Sequence, residues 1–284
     1  FFKALGFAYV TWFLVMLSGM LDRDAVRTER HTAVVDLTGV IEAEGDANAK
    51  QVGAALRRAF EDRNTAGVVL RINSPGGSAV QSGAIYDEIR RLRDRYPAIP
   101  LYAVVEEICA SGGYYVAAAA DRIFVNRASL VGSIGVLLNG FGFVGTMEKL
   151  GVERRLLTAG DNKGFLDPFS PLDEAQGAHA RELLAEVHAQ FVEAVRSGRG
   201  ERLKEAPELF SGLVWSGARS VELGLADGFG SVPSVARDEV RAEKIVDFSS
   251  RDNLAERLAK RVGASVGAAF GNALGLAGRQ VGLY

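Results

Sequence analysis

Ser111 stands in Glu107-Ile108-Cys109-Ala110-Ser111-Gly112-Gly113-Tyr114-Tyr115-Val116, between an apolar run at 101–105 and a small-residue run at 117–120. The pattern reads as a sharp turn from a strand into a helix, with the serine at the turn and the Gly112 amide behind it. A hydroxyl held beside exposed backbone N–H groups can act as a nucleophile with a ready oxyanion site. The same residues also suit an ordinary helix cap, because serine caps helices and Gly-Gly makes turns. A second stretch, Asn73-Ser74-Pro75-Gly76-Gly77, comes directly after another strand-like run, 67–72. Proline fixes one backbone angle and the glycines open others, so such a turn can aim an amide into a cleft.

A serine nucleophile needs a base. The chain offers His31, His179 and His188, the last two nine positions apart in a long helical pattern. Lysine is the other partner that serine uses. Lys163 stands in Ala159-Gly160-Asp161-Asn162-Lys163-Gly164-Phe165, a loop sequence. A lysine acts as base only where burial favours its neutral amine. Phe165, Leu166 and Phe169 could wall it off, whereas Asp161 and Asp167 would oppose if close. Cys109 is the single cysteine, so no internal disulfide forms; it reads as a buried structural thiol.

These residues need a scaffold. A chain of 284 residues with 48% hydrophobic content can bury a sizeable core, and a net charge of −2 gives no basic field for nucleic acid. Strand patterns at 33–37, 67–72, 101–105, 123–125 and 152–157 alternate with helical ones at 46–63, 80–95, 173–197 and 218–223. A further helix should end at Leu150. The alternation predicts an α/β fold with largely parallel pairing and right-handed crossovers. The charges Arg90, Arg91, Arg93 and Arg95, alternating with Asp87, Glu88 and Asp94, read as a solvated helix face.

Both ends differ from the middle. Residues 4–21 carry no charge and include Trp12, Phe13, Leu14, Val15 and Leu17, enough to approach the ~30 Å hydrocarbon core of a bilayer. This predicts a transmembrane anchor at 1–22 in contact with lipid and a charged juxtamembrane linker at 23–32. At the other end Leu254, Leu258, Val262, Val266, Phe270 and Leu274 recur every fourth residue beside Gly263, Gly267, Gly271 and Gly275. Small residues at that spacing allow close helix approach. The expectation for 249–284 is a Gly-rich helix that contacts other subunits or membrane, against a flexible tail.

Five segments together carry a resemblance. Arg71-Ile72-Asn73-Ser74-Pro75-Gly76-Gly77, Ala110-Ser111-Gly112-Gly113-Tyr114-Tyr115, Gly132-Ser133-Ile134-Gly135-Val136, Glu148-Lys149-Leu150-Gly151-Val152 and Ala159-Gly160-Asp161-Asn162-Lys163 occur in the same order as in the signal peptide peptidase A (protease IV) family, which the chain resembles. The resemblance implies a Clp protease/crotonase superfold of repeated ββα units and a peptidase domain at 33–248. It implies a serine endopeptidase with Ser111 as nucleophile, Lys163 as general base and Ser133 orienting the lysine. Gly76, Gly77 and Gly112 would hold the oxyanion. It further implies a membrane-anchored homo-octamer whose dyads are shared between neighbouring subunits. The catalytic domain would lie on the extracytoplasmic side of the bacterial inner membrane, acting on remnant signal peptides and other apolar peptides. No metal or cofactor is implied. Asn162 departs from the family, where an aromatic residue commonly precedes the lysine. A crotonase-like acyl-CoA enzyme and a non-proteolytic membrane scaffold are the competing readings.

Overall fold

A computed structural model of the chain describes residues 29–204 and 206–249. The anchor expected at 1–22 and the helix expected at 249–284 lie outside the described residues, apart from Ser249. Among the described residues no helix is long and apolar enough to cross a membrane.

The chain opens with β1 (His31–Thr38), α1 (Ala49–Glu61), β2 (Thr65–Ser74), α2 (Ala79–Arg95) and β3 (Leu101–Ala110). The short α3 (Gly112–Ala117) starts immediately after Ser111. Then come β4 (Arg122–Val125), β5 (Leu130–Gly132), α4 (Val144–Leu150), the long α5 (Glu174–Arg199), β6 (Val214–Ser216) and α6 (Gly217–Glu222). β7 (Gly228–Phe229), α7 (Val232–Val235) and β8 (Ile245–Asp247) complete the order. Side chains cap five of these described helices: Asn48 accepts from Gln51 N, Ser78 from Gln81 N, Asp173 from Gln176 N, Ser216 from Arg219 N and Ser231 from Ser234 N. Each satisfies an N–H that a helix start would otherwise leave bare.

The described strands form one sheet, ordered β6-β5-β3-β2-β1-β8, with β4 pairing β3 and β7. Every pairing is parallel except β5 with β6. The central strands are buried on both faces, which is why they read as unbroken apolar runs. Ala33, Val35, Leu37, Val68, Leu70 and Ile72 pack on the side of α1 and α2, whereas Val34, Val69 and Val104 meet Phe124, Val235 and Val240 on the other.

Three features depart from the expected elements. β3 runs to Ala110, so the residues before Ser111 are strand rather than turn. Between Ile72↔Val105 and Ser74↔Cys109 it gains two residues on β2, and its last three pair with β5. Such a bulge bends a strand and re-aims the residues beyond it. Residues 152–157 are not a strand, because no described strand edge pairs with them and they lie exposed. His31 is not in a linker: it is buried in β1, stacked on Phe248 at 5.8 Å, with its backbone N–H bonded to Asn64 O.

The C-terminal end of α5 is fixed by a buried ion network. Arg199, 1% exposed, donates to Asp227 Oδ2 at 2.8 Å and to Gly224 O at 2.8 Å. Asp227 also accepts from Ile123 N at 2.7 Å and from Arg202 at 3.1 Å. Burial opposes its charge, but Arg199, the Ile123 amide and Arg202 outweigh that and hold its carboxyl below the usual range. A depressed acid lends stability above its unfolded pKa, about 4, and loses it as pH falls. Asp227→Asn leaves Arg199 unpaired and should cost about 3–5 kcal/mol at pH 7. Denaturant midpoints of the two proteins should converge on acidification toward pH 3. A gap as wide at pH 3 as at pH 7 would count against this account.

Candidate active site

Ser111 succeeds the last residue of β3 with φ 50° and ψ −123°, a conformation that L-residues avoid. The fold over-determines it: Ser111 N donates to Gly132 O at 2.8 Å and Ser111 O accepts from Tyr115 N at 2.9 Å. Its side chain makes no cap bond to α3, although it occupies the cap position. The ordinary-cap reading therefore fails, and the hydroxyl is left to face the cavity that it lines. Strain of this kind costs roughly 1–3 kcal/mol and gathers at functional sites.

The Asn73–Gly77 turn comes to the same place. Ser74 Oγ donates to Gly39 O at 2.7 Å and accepts from Gly76 N at 3.2 Å. Gly76, at φ +98°, packs so closely that an added Cβ would lie 2.7 Å from Gly112 N and 2.8 Å from Ser111 Cβ. Ile41 donates to Gly76 O and accepts from Ser78 N, at 2.8 and 2.7 Å. In a parallel bridge that pattern turns the amide of the intervening residue, Gly77, to the opposite side. There it neighbours Gly112, whose hypothetical Cβ would stand 3.3 Å from Gly77 N. Gly112 is the first residue of α3, so its N–H has no partner within the helix. Two amides beside one serine suit an anionic oxygen. Of the three expected glycines, Gly76 already uses its amide on Ser74 Oγ, whereas no hydrogen bond among the described residues engages the Gly77 or Gly112 amide.

Ser133 lines the same cavity of about 980 Å³. It too is held at φ 50°, with its N–H donated to Leu213 O at 2.7 Å. Further lining comes from Val80 and Ala84 of α2, Tyr115 of α3, and Val187 and Phe191 of α5. Cys109 is fully buried behind Ser111, and burial pushes its thiol far up, so it stays protonated and inert.

Lys163 is not in this cavity. It lies exposed in the turn at 161–166, its N–H bonded to Gly160 O at 3.1 Å. After Leu137 the chain leaves the core, and α4 buries none of its residues. Leu137, Phe141 and Leu157 are 76, 81 and 96% exposed. The arm is held mainly by itself: Phe143 stacks on Phe169 at 5.5 Å, Phe143 N donates to Pro168 O, and Arg154 pairs with Asp167 at 3.2 Å. Phe165 meets the edge of His179 at 5.9 Å. The histidines do not replace the lysine. His179 is exposed against Glu182, and His188 donates Nε2–H to Ile134 O at 3.3 Å, which occupies that nitrogen. Among the described residues no cluster could hold a metal ion.

The described part of the molecule is thus an α/β protein with a strained serine that lines an open cavity together with Gly77 and Gly112. The chain belongs to peptidase family S49, whose model matches residues 93–246. It is 40% identical over 227 residues, 78% of the chain, to the Na(+)/H(+) antiporter NhaA of Brucella abortus, covering 31% of that protein. A putative signal peptide peptidase SppA of Enterococcus faecium is 33% identical over 66% of the chain and 54% of its own length. Putative protease slr0021 of Synechocystis is 31% identical over 72% of the chain and 71% of its own length. The chain thus spans about a third of the first relative, about half of the second and 71% of the third.

Proposed function

We propose that this chain is a membrane-anchored serine endopeptidase with a Ser111–Lys163 dyad, and that the lysine comes from a neighbouring copy. The observation that carries the reading is Ser111, strained, uncapped and set beside the Gly77 and Gly112 amides. Ser111 Oγ attacks the peptide carbonyl and passes its proton to the Lys163 amine. The two amides receive the negative oxygen, each donor contributing roughly 3–4 kcal/mol of barrier lowering. Lys163 returns the proton to the leaving amine, and water releases the acyl group from Ser111.

Within one chain Lys163 lies exposed and does not line the Ser111 cavity. A second copy supplies its serine and an apolar setting if the exposed Leu and Phe side chains of the arm dock on it, because burial favours a neutral amine. Ser133, at the cavity wall, then orients the incoming amine. The resemblance extends this to an octamer of Clp protease/crotonase-type domains, anchored through 1–22 and facing the extracytoplasmic side. Its substrates are apolar peptides, including remnant signal peptides. The relatives named as proteases support the peptidase reading, and the apolar lining of the cavity suits such substrates.

A fluorophosphonate probe tests it. Incubated with the full chain assembled in detergent, the probe should modify the tryptic peptide that contains Ser111. Label on another serine, or none in an intact assembly, would overturn the assignment.

A further inference from the structure

The cavity has a charged feature that the peptidase chemistry leaves unused. α2 starts beside Gly77 and runs along one wall, presenting Val80, Gly83, Ala84 and Asp87 to the opening. That spacing places them on one helical face. Across the gap stand Tyr115, one turn beyond Ser111, and Val187, Gln190 and Phe191. The Tyr115 ring is locked edge-on to Tyr86 at 5.3 Å and tilted on Phe191 at 4.9 Å.

Among the described residues, Asp87 is the one charged side chain in this lining. Its neighbours on α2 are engaged. Glu88 takes Arg57 and Arg91, Arg93 takes Asp121, and Arg90 lines a separate recess with Asp94. No ion pair among the described residues engages Asp87. Its charge does reach the aromatic wall: burial first, then Asp87, holds the Tyr115 phenol above its usual range.

We propose that Asp87 forms a specificity subsite for a lysine or arginine side chain of an extended peptide. The aliphatic stem lies over Val80, Ala84 and the Tyr115 ring, and the cation meets the carboxylate at the rim. Long basic side chains suit such a site because they bury their stems and keep the charge near water. Asp87 stands nine residues beyond Ser78, about 14 Å along the helix at ~1.5 Å per residue. An extended peptide covers ~3.3 Å per residue, so the subsite lies about four residues from the scissile bond. The inference rests on the peptidase reading of this cavity and names the substrate feature it selects.

The probe is a set of N-acetylated apolar peptides with lysine, norleucine or glutamate at each position three to five residues from the scissile bond. Acetylation leaves lysine as the only cation. Binding to the full-chain Ser111→Ala variant is read by fluorescence anisotropy, and cleavage by the wild type is read in parallel. At one position lysine should bind about tenfold more tightly than norleucine, as expected for a partly desolvated ion pair. Asp87→Asn in the same background should bring that ratio to about one, Asp87→Glu should keep it, and Asp87→Lys should favour glutamate. Equal lysine-to-norleucine ratios with and without Asp87 would overturn the subsite while Ser111-dependent cleavage still supports the peptidase. An Asp87-dependent ratio without cleavage would support the subsite and count against the peptidase.

Discussion

Ser111→Ala should abolish peptide hydrolysis, lowering kcat by at least about 10³-fold and leaving only the contribution of the amides and of binding. The fold should survive, because the side chain caps nothing and the neighbouring backbone bonds are made by the main chain. A sharper form of the prediction uses glycine. Ser111→Gly should be as inactive as the alanine variant, yet more stable than it by about 1 kcal/mol, because glycine relieves the φ 50° strain that alanine keeps. Denaturant midpoints and hydrolysis of a fluorogenic apolar peptide measure the two effects. A glycine variant less stable than the alanine variant would show that the backbone here is unstrained. A Ser111→Ala protein that still cleaves would remove the serine from the chemistry.

The second large effect belongs to Lys163. Lys163→Ala should lower hydrolysis by several orders of magnitude, on the scale of removing a dyad member. Stability of the single chain should hardly move, since the side chain is exposed and makes no ion pair with a described residue. Lys163→Arg should not rescue, because guanidinium stays charged and cannot accept the proton. Equal cleavage by wild type and Lys163→Ala, in assemblies of equal mass, would return attention to His179 and His188.

Much of the scaffold is legible in the sequence. The strands of the central sheet stand out because they are buried on both faces. Periods in 46–63, 80–95 and 173–197 correspond to α1, α2 and α5, with caps at Asn48, Ser78 and Asp173. The features that escape local patterns are set by partners far away in sequence. Residues 152–157 read as a strand in the sequence, yet no described sheet edge pairs with them. β3 reaches Ala110 because Ile108, Cys109 and Ala110 find β5, a pairing that no local pattern reveals. At the site, Ser111, Ser133, Gly77 and Gly112 line one opening, whereas Gly76 is buried against Ser111 and Gly112 and does not line it. That Gly77 rather than Gly76 keeps a free amide depends on the Ser74 hydroxyl, which a motif cannot show. Charge alternation alone puts Asp87 on a solvated face; only the placement of α2 along the cavity wall singles it out.

The exposed arm carries the central claim: the site is completed between copies. Mixed assembly tests it most directly. Full-length Ser111→Ala and Lys163→Ala chains, each inactive alone, are co-assembled in equal amounts and verified as hetero-oligomers by mass. If each serine works with a neighbour's lysine, random mixing in a ring restores about a quarter of wild-type activity, the fraction of junctions that join an intact serine to an intact lysine. Verified mixed assemblies that remain inactive would contradict the shared dyad and place serine and base within one chain.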